Sequence, residues 1–107
     1  MKSMTAVEVQ KLLQANVDTV KIDVREDIEL THGVIEGAIH IPMQQIPEKI
    51  TELEQYKSST IVIICRSGMR SHQVGSFLEQ EGFSDIINLE GGMNSWAADV
   101  DANMSVY

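Results

Sequence analysis

Apolar residues run unbroken from Ile61 to Cys65 in "TIVIIC", residues 60–65. A continuous apolar run of this length, rich in β-branched residues, predicts a strand buried on both faces. Shorter stretches carry a weaker strand signal: "TVKIDV" (19–24) alternates, "AIHI" (38–41) is stopped by Pro42, and "DIINL" (85–89) is a third brief run. Between them the apolar spacing changes to that of helices. Thr5-Ala6-Val7-Glu8 has the form of a capping box and opens a helix to about Ala15, with Val7, Leu12 and Leu13 inward. Ile46, Ile50 and Leu53 fall at helical spacing, with Pro47 near the first turn. Residues 71–82 predict a helix with Ser71 as N-cap, Val74, Phe77 and Leu78 inward, and Gly82 at its end. "GGMNSWAADV" (91–100) predicts a glycine turn followed by a short helix. Residues 25–37 read as irregular or weakly helical, residues 1–4 as a polar lead-in, and residues 101–107 as loop.

Strands alternating with helices over 107 residues imply one α/β domain, residues 1–107, with a small parallel sheet covered by helices on both faces. In such sheets ligands bind beyond the carboxyl ends of the strands. Cys65 is expected at such an end.

Composition narrows the chemistry. Sixteen acidic residues against eight basic ones give a net charge of −8, which argues against nucleic acid and anionic membranes as partners. The single cysteine excludes an internal disulfide, and His32, His40 and His72 show no metal-ligand spacing, so neither a metal nor another cofactor is expected. No apolar run approaches the length of a bilayer span and no export signal is legible, so the expected location is the cytoplasm.

Against this acidic background, two of the three arginines, Arg66 and Arg70, stand within five residues of the lone thiol. The chain must turn sharply between Cys65 and the next helix, and Gly68 permits that turn. Main-chain N–H groups of a tight loop entering a helix converge on one centre and favour an anion. A thiol beneath them, flanked by guanidinium groups, is favoured as the nucleophilic thiolate. Arg66 and Arg70 could hold the oxyanion end of a donor such as thiosulfate. The competing readings are an inert core cysteine and a cysteine phosphatase or arsenate reductase. The phosphatase pattern needs five residues between Cys and Arg, and four separate Cys65 from Arg70. The smaller bowl would crowd a phosphoryl group and admit a single extra sulfur atom. A reductase would lack an internal resolving thiol.

The sequence "CRSGMRS" (65–71) resembles the active-site loop of rhodanese (thiosulfate:cyanide sulfurtransferase) domains. "IDVRE…GVIEGAIHIP" (22–42) is similar to the family's Asp-Val-Arg stretch and the Gly-His-Ile-x-Gly-Ala-x-Asn-Ile-Pro pattern after it. "LEGGMNSWAAD" (89–99) is similar to its Gly-Gly-x-x-x-Trp element. Val34 stands where the pattern often has His, with His32 two residues earlier, and His40 stands where it has Asn. The resemblance implies a five-stranded parallel sheet and a persulfide on a catalytic Cys65. It also implies a cradle for that persulfide from the amides of Arg66, Ser67, Gly68, Met69 and Arg70. The implied activity moves sulfane sulfur from a small donor to cyanide or a thiol. The alternative is a sulfur carrier that receives persulfide from, or passes it to, a partner protein.

The remaining conspicuous residues have simpler readings. Asp23 and Arg25 read as a charge pair fixing the loop after a strand. Trp96 reads as packing for a terminal helix, His72 as a surface residue, and Met69 as part of an apolar rim. Ser67 and Ser71 are the hydroxyls within reach of the sulfur.

Overall fold

A computed structural model describes residues 1–107. Five strands form one sheet: β1 (Lys2–Met4), β2 (Val20–Asp23), β3 (Ile39–His40), β4 (Thr60–Ile64) and β5 (Asp85–Leu89). Their order is β1-β5-β4-β2-β3 and every pairing is parallel. The unbroken apolar run is β4, in the middle of the sheet. Ile22 pairs with Ile63 on one side of it, and Ile63 with Asn88 on the other.

The period-2 alternation of β4 divides its side chains between two cores. Ile61, Ile63 and Cys65 pack with Ile46 and Leu53 of helix α2 (Ile46–Leu53) and with Val74 and Leu78 of helix α3 (Met69–Gln80). Val62 and Ile64 face the opposite side. There they join Ala6 and Val9 of helix α1 (Ala6–Ala15) and Met93 and Trp96 of helix α4 (Gly92–Asp99). Both faces of the central strand are therefore sealed, which is why its sequence does not alternate. Trp96 is buried in the second cluster and packs α4 onto the sheet, as its sequence position suggests.

Local signals set most element ends. The capping box at Thr5 and Glu8 is formed in both directions, and Thr5 holds the Glu8 carboxyl below its ordinary range through its main-chain and hydroxyl hydrogen bonds. Pro47 lies in the first turn of α2. The segment after Arg25, expected to be irregular or weakly helical, forms a 3₁₀ helix at Asp27–His32.

Three expectations need correction. Val7 is exposed, and Ala6 and Val9 are the buried residues of α1. Helix α3 starts at Met69, two residues earlier than expected, so its N-cap is Gly68 and not Ser71. Residues 1–4 contribute the edge strand β1, which pairs with β5 from Lys2 opposite Ile87 to Met4 opposite Leu89. Three residues are too few to show a period, so this strand has no sequence signature. No helix is long and apolar enough to cross a membrane.

Candidate active site

Cys65 follows β4 at the carboxyl edge of the sheet, and the chain reverses there within three residues. Gly68 makes the reversal in the left-handed region at φ 98°, and α3 begins at the next residue. A Cβ on Gly68 would sit 3.2 Å from the Gly91 amide nitrogen, a tight contact, but it is the left-handed conformation that favours glycine here. The turn aims the Gly68 amide at the sulfur, and it donates to Cys65 Sγ at 3.0 Å. The amides of Arg66, Ser67, Met69, Arg70 and Ser71 donate to no protein acceptor. These five N–H groups, at the loop and the first turn of α3, are available to an anion.

The start of α4 closes on the loop from the other side. Met93 N donates to the Cys65 carbonyl at 2.8 Å and Asn94 N to the Arg66 carbonyl at 3.0 Å. This close approach explains the second glycine of "LEGG": a Cβ on Gly92 would fall on the carbonyl groups of Cys65 and Arg66.

Cys65 is 1 % exposed, so its sulfur lies at the floor of the loop. Beneath it runs a buried polar chain. Cys65 Sγ lies 3.2 Å from Ser71 Oγ, Ser71 donates to Asn88 Oδ1, and Asn88 Nδ2 donates to the Gly68 carbonyl at 3.2 Å. The Gly68 carbonyl can only accept, which fixes the orientation of the Asn88 amide and turns its oxygen toward Ser71. The one hydroxyl hydrogen of Ser71 is then committed to Asn88, and the thiol is the donor in the Cys65–Ser71 contact. Ser71 thus lies under the sulfur rather than capping the helix.

Both loop arginines have partners within the chain. Arg70 meets Glu29 through two hydrogen bonds of 2.7 Å, joining α3 to the 3₁₀ helix at 27–32. Arg70 holds the Glu29 carboxyl at about 2. Partial burial opposes this, and the Glu26 amide and the Tyr107 hydroxyl reinforce it. The same contact raises the already high value of Arg70. Arg66 donates to the main-chain oxygen of Tyr107 and lies over its ring, 5.1 Å from the centroid. Ser67 is exposed, as are Met69 on the rim and His72 on α3. Met69 and His72, with Gly68 and Gln73, line a shallow open hollow at the mouth.

Below the rim, Arg25 is completely buried and forms three side-chain hydrogen bonds to Asp23, between 2.9 and 3.2 Å. It also donates to the carbonyl oxygens of Gly33 and Glu29 and to the Tyr107 hydroxyl. Burial alone would weaken its charge, but Asp23 and then Tyr107 outweigh that and raise its value. The Asp23–Arg25 pair shapes the loop after β2, and no contact links it to the sulfur. No cluster of side chains suited to a metal ion is present.

A rhodanese-like domain model matches residues 5–99. The chain belongs to the rhodanese-like domain family. It is 42% identical over 95 residues to the Bacillus subtilis protein named "Putative sulfurtransferase YtwF", covering 89% of each chain. It is 39% identical over 80 residues to a sulfurtransferase of Allochromatium vinosum, covering 75% of this chain and 73% of that one. A crystal structure of a rhodanese-like domain protein from Staphylococcus aureus superposes with a TM-score of 0.83 at 34% identity, covering 100% of this chain and 99% of that one. The parallel five-stranded sheet implied by the rhodanese motifs is the sheet observed.

Around the rhodanese-type loop, three residues were not singled out from the sequence: Glu29, Asn88 and Tyr107. Asn88 left a faint signal as the polar residue inside the buried strand "DIINL". Glu29 and Tyr107 left none.

Proposed function

We propose that the chain is a sulfurtransferase carrying sulfane sulfur as a persulfide on Cys65. The observation that supports this most directly is the loop itself. One amide already points at Sγ, and five more N–H groups around it have no protein partner. Such a cradle suits S⁻ on the free cysteine and the terminal sulfur of a persulfide alike.

The Cys65 thiolate attacks the outer sulfur of a donor such as thiosulfate. The Cys65 Sγ–S bond forms, the donor S–S bond breaks, and sulfite leaves with the electron pair. Cyanide or a thiol then attacks the terminal sulfur, and Cys65 leaves as thiolate. Charge balances in both steps, and no metal, cofactor or redox partner takes part. Residues 66–70 hold the transferred sulfur through their amides. Phosphate hydrolysis fits less well, because the guanidinium that would grip a phosphoryl group is bound to Glu29.

Steady-state thiosulfate:cyanide kinetics test the reading. A covalent intermediate predicts parallel double-reciprocal lines and complete loss of turnover in Cys65→Ser. Intersecting lines, or turnover that survives the substitution, contradict it.

The occupied arginines favour a second reading, in which the persulfide comes from a partner protein and small anionic donors are poor substrates. Negligible thiosulfate turnover together with a stable persulfide loaded by a desulfurase would select that carrier role.

A further inference from the structure

The chain after α4 returns to the mouth of the Cys65 loop. Met104 packs on Gly33, where a Cβ would lie 2.9 Å from Met104 Cγ. Three residues later Tyr107 is held on four sides. Its ring stacks flat on His32, with centroids 4.0 Å apart and planes 5° from parallel. Its hydroxyl accepts from Arg25 and donates to Glu29, both at 3.0 Å. Its amide donates to Asn94 Oδ1 at 2.9 Å, and its main-chain oxygen accepts from Asn94 Nδ2 at 3.3 Å and from Arg66. His32 is the histidine displaced from the family pattern, and here it forms the platform for the ring.

These contacts converge on the cations of the site. Tyr107 occupies Arg66 directly, and it braces Glu29, which holds Arg70. A donor with sulfonyl oxygens needs a free guanidinium to be recognised at the rim. A persulfide donor has no such oxygens and needs only the amide cradle. Taking the sulfurtransfer reading as its basis, we propose that Tyr107 is a specificity-determining residue. It occupies Arg66 and so disfavours sulfonyl-bearing donors, thiosulfate and thiosulfonates, relative to persulfides. For a persulfide donor the step is R–S–SH plus Cys65 thiolate giving the Cys65 persulfide and R–S⁻, with no oxyanion to place.

Two measurements on Tyr107→Ala and Tyr107→Phe test this. In the first, thiosulfate is titrated calorimetrically into Cys65→Ser protein with and without each substitution, so that no sulfur can be transferred. Tyr107→Ala removes the ring from Arg66 together with the His32, Arg25 and Glu29 contacts that hold the Tyr107 main-chain oxygen against it, and is expected to tighten binding at least fivefold. Tyr107→Phe keeps the ring on His32 but loses the anchor to Arg25 and Glu29, and it is expected to tighten binding less. In the second, the ratio of kcat/KM for thiosulfate to that for the persulfide of 2-mercaptoethanol is measured with Cys65 intact. The ratio is expected to rise at least fivefold in Tyr107→Ala, mainly through KM for thiosulfate. Unchanged or weaker thiosulfate binding in both variants overturns the proposal. If neither donor loads Cys65, sulfur transfer itself is refuted, while the binding measurement still decides whether Tyr107 blocks Arg66. If Tyr107→Ala does not fold, Tyr107→Phe carries the same test.

Discussion

Glu29 and Arg70 meet through two parallel hydrogen bonds of 2.7 Å, although 41 residues separate them in the chain. The pair ties the first turn of α3 to the 3₁₀ helix at 27–32, so the far wall of the Cys65 loop is anchored by a carboxylate.

That anchor has a definite pH dependence. The Glu29 carboxyl lies at about 2 in the folded protein against an ordinary 4.5. Its contribution is complete above 4.5, because the unfolded chain ionises there too. It is lost as the pH falls from 4.5 towards 2, where the folded carboxylate takes up its proton. The difference corresponds to roughly 3 kcal/mol at most, less what solvent screening removes. Urea midpoints measured from pH 6 down to pH 2.5 should fall more steeply for the wild type than for Glu29→Gln. Parallel curves would show that the pair adds nothing to stability.

The buried pair beneath it behaves differently. Arg25 and Asp23 are both almost fully enclosed, so removing one partner strands a charge. Asp23→Ala should cost on the order of 3–5 kcal/mol, read as a shift in the urea midpoint. A loss below about 1 kcal/mol would mean that water reaches Arg25 in the variant.

Asn88 commits the Ser71 hydroxyl away from the sulfur. In Asn88→Ala, Ser71 can turn and donate to a Cys65 thiolate instead. Iodoacetamide should then alkylate Cys65 faster at pH 6 than in the wild type. Stability should fall by on the order of 1–2 kcal/mol for the lost buried hydrogen bonds. Slower alkylation in a folded variant would mean that Asn88 supports the thiolate rather than opposing it.

Gly92 tests how closely α4 must approach the loop. Its φ is 56°, and a Cβ there would lie 2.5 Å from the Arg66 carbonyl oxygen. Gly92→Ala should therefore destabilise by more than about 2 kcal/mol, since the left-handed backbone alone accounts for roughly 1–2. It should also reduce sulfur loading of Cys65 more than a substitution at Val7, which is exposed on α1. Equal loading in the two variants would separate the loop from the helix start.

What could be read from sequence depended on distance along the chain. The turn after Cys65 and the glycine it needs at Gly68 lie within a few consecutive residues, so they were legible before any fold was known, whereas the helix entry was placed two residues late, at Ser71. The central strand was legible because burial on both faces leaves an unbroken apolar run. Glu29, Asn88 and Tyr107 reach the site from 41, 17 and 41 residues away through contacts that exist only once the sheet has formed. The same distance hid the partners of Arg66 and Arg70. Two cations beside a thiol are visible in a string of letters, but the groups that neutralise them are not. Strand β1 escaped notice for a different reason, because three residues carry no periodicity.

The most direct test is the intact mass of the protein after exposure to a sulfane donor, followed by cyanide. The wild type should gain one sulfur atom and lose it again to cyanide, while Cys65→Ser should gain none. A wild-type mass that stays unchanged with thiosulfate and with an alkyl persulfide alike would contradict the assignment of Cys65 as the sulfur-carrying residue.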